Sequence, residues 1–141
     1  MNASSNRPAV KYILLVEDEG LVRDTLCLAL RQLGCRMVVA NNGAEALGLF
    51  ARGHFDLVMT DYEMPFLKGN ELAARIRQMA PRQPILMITG FGHKAGADNP
   101  VDAVIDKPFD FDRLRTITEQ LLNQTDLATP GGPLAERHQS N

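Results

Sequence analysis

Tryptophan is absent from this 141-residue chain, aromatic residues make up only 6% of it, and there are just two cysteines. Cys27 and Cys35 show neither a CxxC spacing nor a companion His cluster, so neither a zinc site nor a disulfide framework is supported. Both read as reduced, partly buried thiols. His54, His93 and His138 share no ligand spacing and read as surface residues. No apolar run approaches the roughly 20 residues that cross a bilayer, and Met1 to Ala9 is polar, without the apolar segment of a signal peptide. Charge of one sign is also missing: 15 basic residues face 17 acidic ones, for a net charge of -2. That leaves no excess positive charge to neutralise nucleic-acid phosphates or anionic lipid. No direct nucleic-acid or membrane binding is expected, and the chain reads as cytoplasmic.

What is present is an ordinary globular composition, 45% hydrophobic and 23% charged, on a chain long enough for one domain. Residues 1–9 and 125–141 are rich in Ser, Asn, Pro, Gly and charge, as loose termini are, which leaves 10–124 as the folded unit. Within it, strand-like and helix-like stretches alternate, the pattern of a parallel sheet covered on both faces. Tyr12 to Val16 is a nearly unbroken apolar run, stopped by Glu17-Asp18-Glu19. A helix follows from about Gly20 to Leu33, with Val22, Leu26, Ala29, Leu30 and Leu33 inward. Met37 to Ala40 forms a second strand. Asn41 or Asn42 then caps a helix to about Arg52, with Ala46, Leu47, Phe50 and Ala51 inward.

A third strand, Phe55 to Thr60, ends at Asp61, and a loop leads to a helix capped by Asn70 with Leu72, Ala73, Ile76 and Met79 inward. Met37, Met59 and Met87 also read as core. Pro84 to Thr89 and Ala103 to Ile105 are the last strands. Asp110 caps a final helix with Phe111, Leu114, Ile117 and Leu121 on one face. Five strands and about five helices give an α/β fold, and short right-handed crossovers favour a doubly wound parallel sheet of order 2-1-3-4-5.

That topology makes the first and third strands neighbours, so Glu17, Asp18 and Asp61 converge where strand order reverses. A hard divalent cation such as Mg²⁺ would neutralise them, with Asp18 and Asp61 as direct ligands. The outer strands bring Thr89, a hydroxyl, and Lys107, an ammonium, to the same edge. Carboxylate, metal, hydroxyl and lysine together describe phosphoryl transfer, which needs positioning and charge neutralisation more than a base.

Leu14 to Glu19, Asp56 to Pro65, Met87 to Gly90 and Asp106 to Phe109 resemble the four signature segments of response-regulator receivers, in order and each at a predicted strand end. The resemblance covers about Val10 to Leu122. It implies a flavodoxin-like receiver fold and a single-domain switch, not a turnover enzyme. By the resemblance, Asp61 is the phosphoryl acceptor, Glu17 and Asp18 are the acidic pair, Thr89 is the switch hydroxyl and Lys107 the site lysine. The backbone carbonyl of Glu63 is a third protein ligand to Mg²⁺, N–H groups near Glu63 and Gly90 hold phosphoryl oxygens, and Lys107-Pro108 is cis. The implied partners are a sensor histidine kinase or a histidine phosphotransfer protein and a downstream protein, with the chain a monomer or a phosphorylation-dependent dimer.

The chain departs from that pattern in places. Val104 stands where an aromatic ring is usual. Phe91 to Pro100 looks about a turn shorter than usual, with Gly92, Gly96 and a proline, so a short, distorted or mobile fourth helix is expected, ordered on phosphorylation. Gly90 replaces a small alanine, and Glu63 and Phe91 occupy positions that tune loss of the phosphoryl group. The alternative reading is a receiver-like interaction module not regulated by phosphorylation. A phosphatase with an aspartate nucleophile would use Glu63 as its second acid, but Met64-Pro65 fits a receiver better. Flavin binding is disfavoured by acids where a phosphate-cradling loop belongs.

Overall fold

The computed structural model describes residues 9–90 and 100–128, with side chains as far as residue 124. Five strands form one sheet: β1 (Tyr12–Val16), β2 (Arg36–Ala40), β3 (Leu57–Asp61), β4 (Ile85–Thr89) and β5 (Ala103–Asp106). Their order is β2-β1-β3-β4-β5, and every pair is parallel. Four helices are described: α1 (Gly20–Gln32), α2 (Gly43–Arg52), α3 (Gly69–Met79) and α4 (Phe111–Ala128). The expected fourth helix of five, at Phe91 to Pro100, lies almost wholly outside the described residues.

The alternation of side chains along each strand divides the core in two. Ile13 and Leu15 of β1, Leu57 and Met59 of β3, and Leu86 and Ile88 of β4 pack with Leu26 and Leu30 of α1 and Leu114 and Leu121 of α4. Leu14, Val16 and Val58 point the other way, against Ala46 and Phe50 of α2 and Leu72, Ala73 and Ile76 of α3. Strands buried on both faces must be apolar throughout, which is why β1, β3 and β4 read as continuous runs. The last residue of β3, Asp61, is a carboxylate nonetheless, and it is 7% exposed.

Side-chain caps explain the starts of α2 and α4, and one expected cap needs correction. The Asn42 side chain accepts from Glu45 N at 2.8 Å, and Asp110 Oδ1 accepts from Arg113 N at 2.7 Å. Asn70, however, does not cap α3. The helix begins at Gly69 behind Lys68, whose N–H donates to Glu71 Oε1 at 3.0 Å, so Asn70 lies inside the first turn. The expected inward faces need three more corrections. Met79 is 48% and Phe111 38% exposed, and Ala51 is exposed. Each lies at the rim of its helix's apolar stripe, where the sheet no longer covers it.

Candidate functional site

Parallel strands deliver their carboxyl ends to one edge, and there the sheet collects the polar groups. Val16 pairs with Thr60, so Glu17 and Asp18 at the exit of β1 stand beside Asp61 at the end of β3. One carboxylate oxygen from each of Glu17, Asp18 and Asp61 lies within 4.8 Å of the others. Lys107 follows β5 and reaches back, its Nζ 3.3 Å from Asp61 Oδ1 and 3.8 Å from Glu17 Oε1. The Lys107-Pro108 peptide is cis. Asp18, Glu19, Asp61, Glu63, Gly90 and Lys107 line the resulting open cleft.

The convergence perturbs the acids. Burial, then the Asp61 charge, push the Glu17 carboxyl from an ordinary value near 4.5 up to about 7, against the opposing pull of Lys107 and the Glu19 N–H. Burial also raises the Asp61 carboxyl, while Lys107 and a hydrogen bond from the Tyr62 N–H hold it down. That Tyr62 bond to Asp61 Oδ1 is 2.8 Å. Glu17 accepts from Glu19 N at 3.2 Å. An acid whose carboxyl is raised by burial and by a second carboxylate beside it is a site that a cation would relieve. All the donors are oxygens, and such a set suits a hard divalent ion rather than zinc.

The remaining expected residues are placed differently. Thr89 is fully buried at the end of β4, one residue before the cleft-lining Gly90. Glu63 lines the cleft, but its carboxylate pairs with Lys68 Nζ at 3.2 Å on the surface. Val104 is half-buried on β5, opposite Met87. Cys35 is buried and Cys27 half-buried, with burial pushing both thiols up, so neither is a ready ligand.

Three supporting residues escaped the sequence reading. A Cβ on Gly69 would overlap the carbonyl oxygen of Asp61, and Gly69 N donates to Tyr62 O at 2.9 Å, so α3 starts directly against the Asp61 backbone. Arg23 donates through Nη1 to the Glu17 carbonyl at 3.1 Å and to Asn41 Oδ1 at 2.9 Å, holding the turn after β1. Arg77 donates to the carbonyls of Pro81, Gln83 and Pro100 and to Asp102. Asp102 in turn accepts from Ile85 N at 2.7 Å. Only Gly69 had a visible signal, a lone glycine at the foot of an apolar helical pattern.

A buried carboxylate beside two more acids and a lysine, at the carboxyl edge of a 2-1-3-4-5 sheet, defines a class of phosphoryl-handling switch domains. The chain belongs to the response-regulator receiver family: the model of the response regulator receiver domain matches residues 13–119. It is 38% identical over 117 residues to the response regulator receiver protein CpdR of Brucella abortus, covering 80% of this chain and 98% of that protein. It is 30% identical over 115 residues to the autoinducer 1 sensor kinase/phosphatase LuxN of Vibrio harveyi, covering 79% of this chain but only 14% of LuxN. Among solved structures, the response regulator protein TrrA of Thermotoga maritima, in complex with Mg²⁺-BeF, superposes with a TM-score of 0.76 at 35% identity, covering 79% of this chain and 99% of that one. Among the described residues, no helix is long and apolar enough to cross a membrane.

Proposed function

We propose that this protein is a cytoplasmic phosphorylation switch in which Asp61 accepts a phosphoryl group from the phosphohistidine of a sensor histidine kinase or histidine phosphotransfer protein. The observation that carries the reading is Asp61 itself, a buried carboxylate whose Oδ1 is held by Lys107 and the Tyr62 N–H. With Oδ1 so held, Oδ2 is the attacking oxygen. It forms the O–P bond as the P–N bond breaks, and the electron pair leaves with the imidazole, which takes up a proton. Lys107 faces the charge that develops on the phosphoryl oxygens.

Glu17, Asp18, Asp61 and the Glu63 backbone carbonyl would hold Mg²⁺, which supplies charge neutralisation for the transferring group. The all-oxygen carboxylate cluster, together with the likeness to TrrA, solved with Mg²⁺-BeF, supports that choice of ion. The buried Thr89 hydroxyl is the group placed to turn toward a phosphoryl oxygen, and a protein partner reads the resulting change. The protein assists its own phosphorylation and dephosphorylation and does not turn over a substrate. The test is intact-mass analysis after incubation with acetyl phosphate and Mg²⁺. A phosphoryl adduct is expected on the wild type and not on Asp61→Asn. Equal adducts on both proteins refute Asp61 as the acceptor, and no adduct on either favours an interaction module that is not regulated by phosphorylation.

A further inference from the structure

The loop that leaves the acceptor carries an unusual residue. Phe66 has a backbone φ of 71° and is 96% exposed. The left-handed region is disfavoured for a side chain as bulky as phenylalanine, and a fully solvated ring forgoes the burial that favours an aromatic residue. Both local choices oppose the monomer, which points to burial of the ring elsewhere. Phe66 stands at one end of a shallow groove that runs along the outer face of α3 past Leu67, Glu71, Ala74, Arg75 and Gln78.

That face is self-complementary. Glu71 and Arg75 are one helical turn apart, so two α3 helices laid antiparallel about a two-fold axis level with residue 73, beside Ala74, set each Glu71 opposite the other copy's Arg75. Ala74 is exposed and small, so the two backbones approach closely at the axis. The same arrangement carries Phe66, at the amino end of α3, to the carboxyl end of the other helix, where Met79 is 48% exposed and offers the ring a thioether. From these features we infer that a second copy of this chain docks on α3: a two-fold dimer seated by Phe66 against Met79 and by two reciprocal Glu71–Arg75 ion pairs. A single helix face with one aromatic anchor per copy is at the low end of specific interfaces, so the dimer is weak and exchanging. It needs no phosphoryl group, so it stands or falls separately from the acceptor reading.

The test is sedimentation velocity of the full chain without a phosphoryl donor, from about 20 μM to about 1 mM, a span that brackets a weak dimer. Wild type shifts toward the dimer as concentration rises. Phe66→Gly, which relaxes the backbone, keeps a melting temperature no lower than wild type yet associates about tenfold more weakly or not at all. Arg75→Glu and Glu71→Arg are each monomeric alone, and an equimolar mixture of the two restores association, because the mixed dimer pairs opposite charges. Wild type that stays monomeric throughout, Phe66→Gly that associates as wild type does, or a mixture that fails to associate while both variants remain folded by circular dichroism, each overturns the proposal.

Discussion

Glu17 makes the metal-free protein sensitive to pH in a direction opposite to that of a salt-bridged acid. Its carboxyl titrates near 4.5 when exposed and near about 7 in the fold, so the folded state binds the proton more tightly. Below pH 4.5 both states are protonated and there is no penalty. As pH rises through that value the unfolded chain releases its proton first, and stability falls until the folded state also ionises near 7, after which the penalty is constant. A gap of that size, at about 1.4 kcal/mol per pKa unit, is a destabilisation on the order of 3 kcal/mol, of which about 2.5 kcal/mol accrues between pH 5 and 8. Glu17→Gln removes this contribution together with its coupling to Asp61, so the difference between the two proteins reports Glu17 and that coupling. Urea unfolding followed by circular dichroism in EDTA at pH 5 and pH 8 measures it, with the wild type losing about 2.5 kcal/mol more than the variant on going to pH 8. Mg²⁺ stabilises the wild type more at pH 8 than at pH 5, since protons compete for the same oxygens. Parallel pH profiles for the two proteins in EDTA would refute the assignment of the raised pKa to Glu17.

Two further outcomes follow from the supporting residues. Gly69→Ala forces a methyl group into the Asp61 carbonyl, so it is expected to lose about 2 kcal/mol or more in urea unfolding. It also slows acetyl phosphate labelling, whereas Gly48→Ala, whose added methyl group meets only Arg52 Nη1 at 4.0 Å, leaves the labelling rate unchanged. Arg77→Ala removes its bonds to Asp102 and to three carbonyls, all at least partly open to water, for an expected loss of about 1 to 2 kcal/mol. Hydrogen exchange shows its effect first at Ile85 and β5, and unchanged protection there would rule out the clamp.

Much of the fold was legible because strands buried on both faces leave no room for polar residues, so β1, β3 and β4 announce themselves and their acidic ends stand out. Strand order and the meeting of Glu17, Asp18, Asp61 and Lys107 then follow from general rules of parallel sheets. Helix rims were not legible: Met79 and Phe111 match the apolar period, but period alone does not say where the sheet stops covering a helix. The α3 cap was misplaced because Asn70 is a good capping residue in isolation, while the close approach of Gly69 to the Asp61 backbone set the true start. Arg23 and Arg77 act through carbonyls of distant segments, and an arginine that grips backbone leaves no pattern in its own neighbourhood.

The groups that meet at Asp61 come from three strands, and Lys107 arrives 46 residues after it. A chain still emerging from the ribosome, or one whose last strand has slipped from the sheet, presents the aspartate without its counter-charge. On the proposed function, competence to be phosphorylated is thus withheld until the strand that delivers Lys107 is in place.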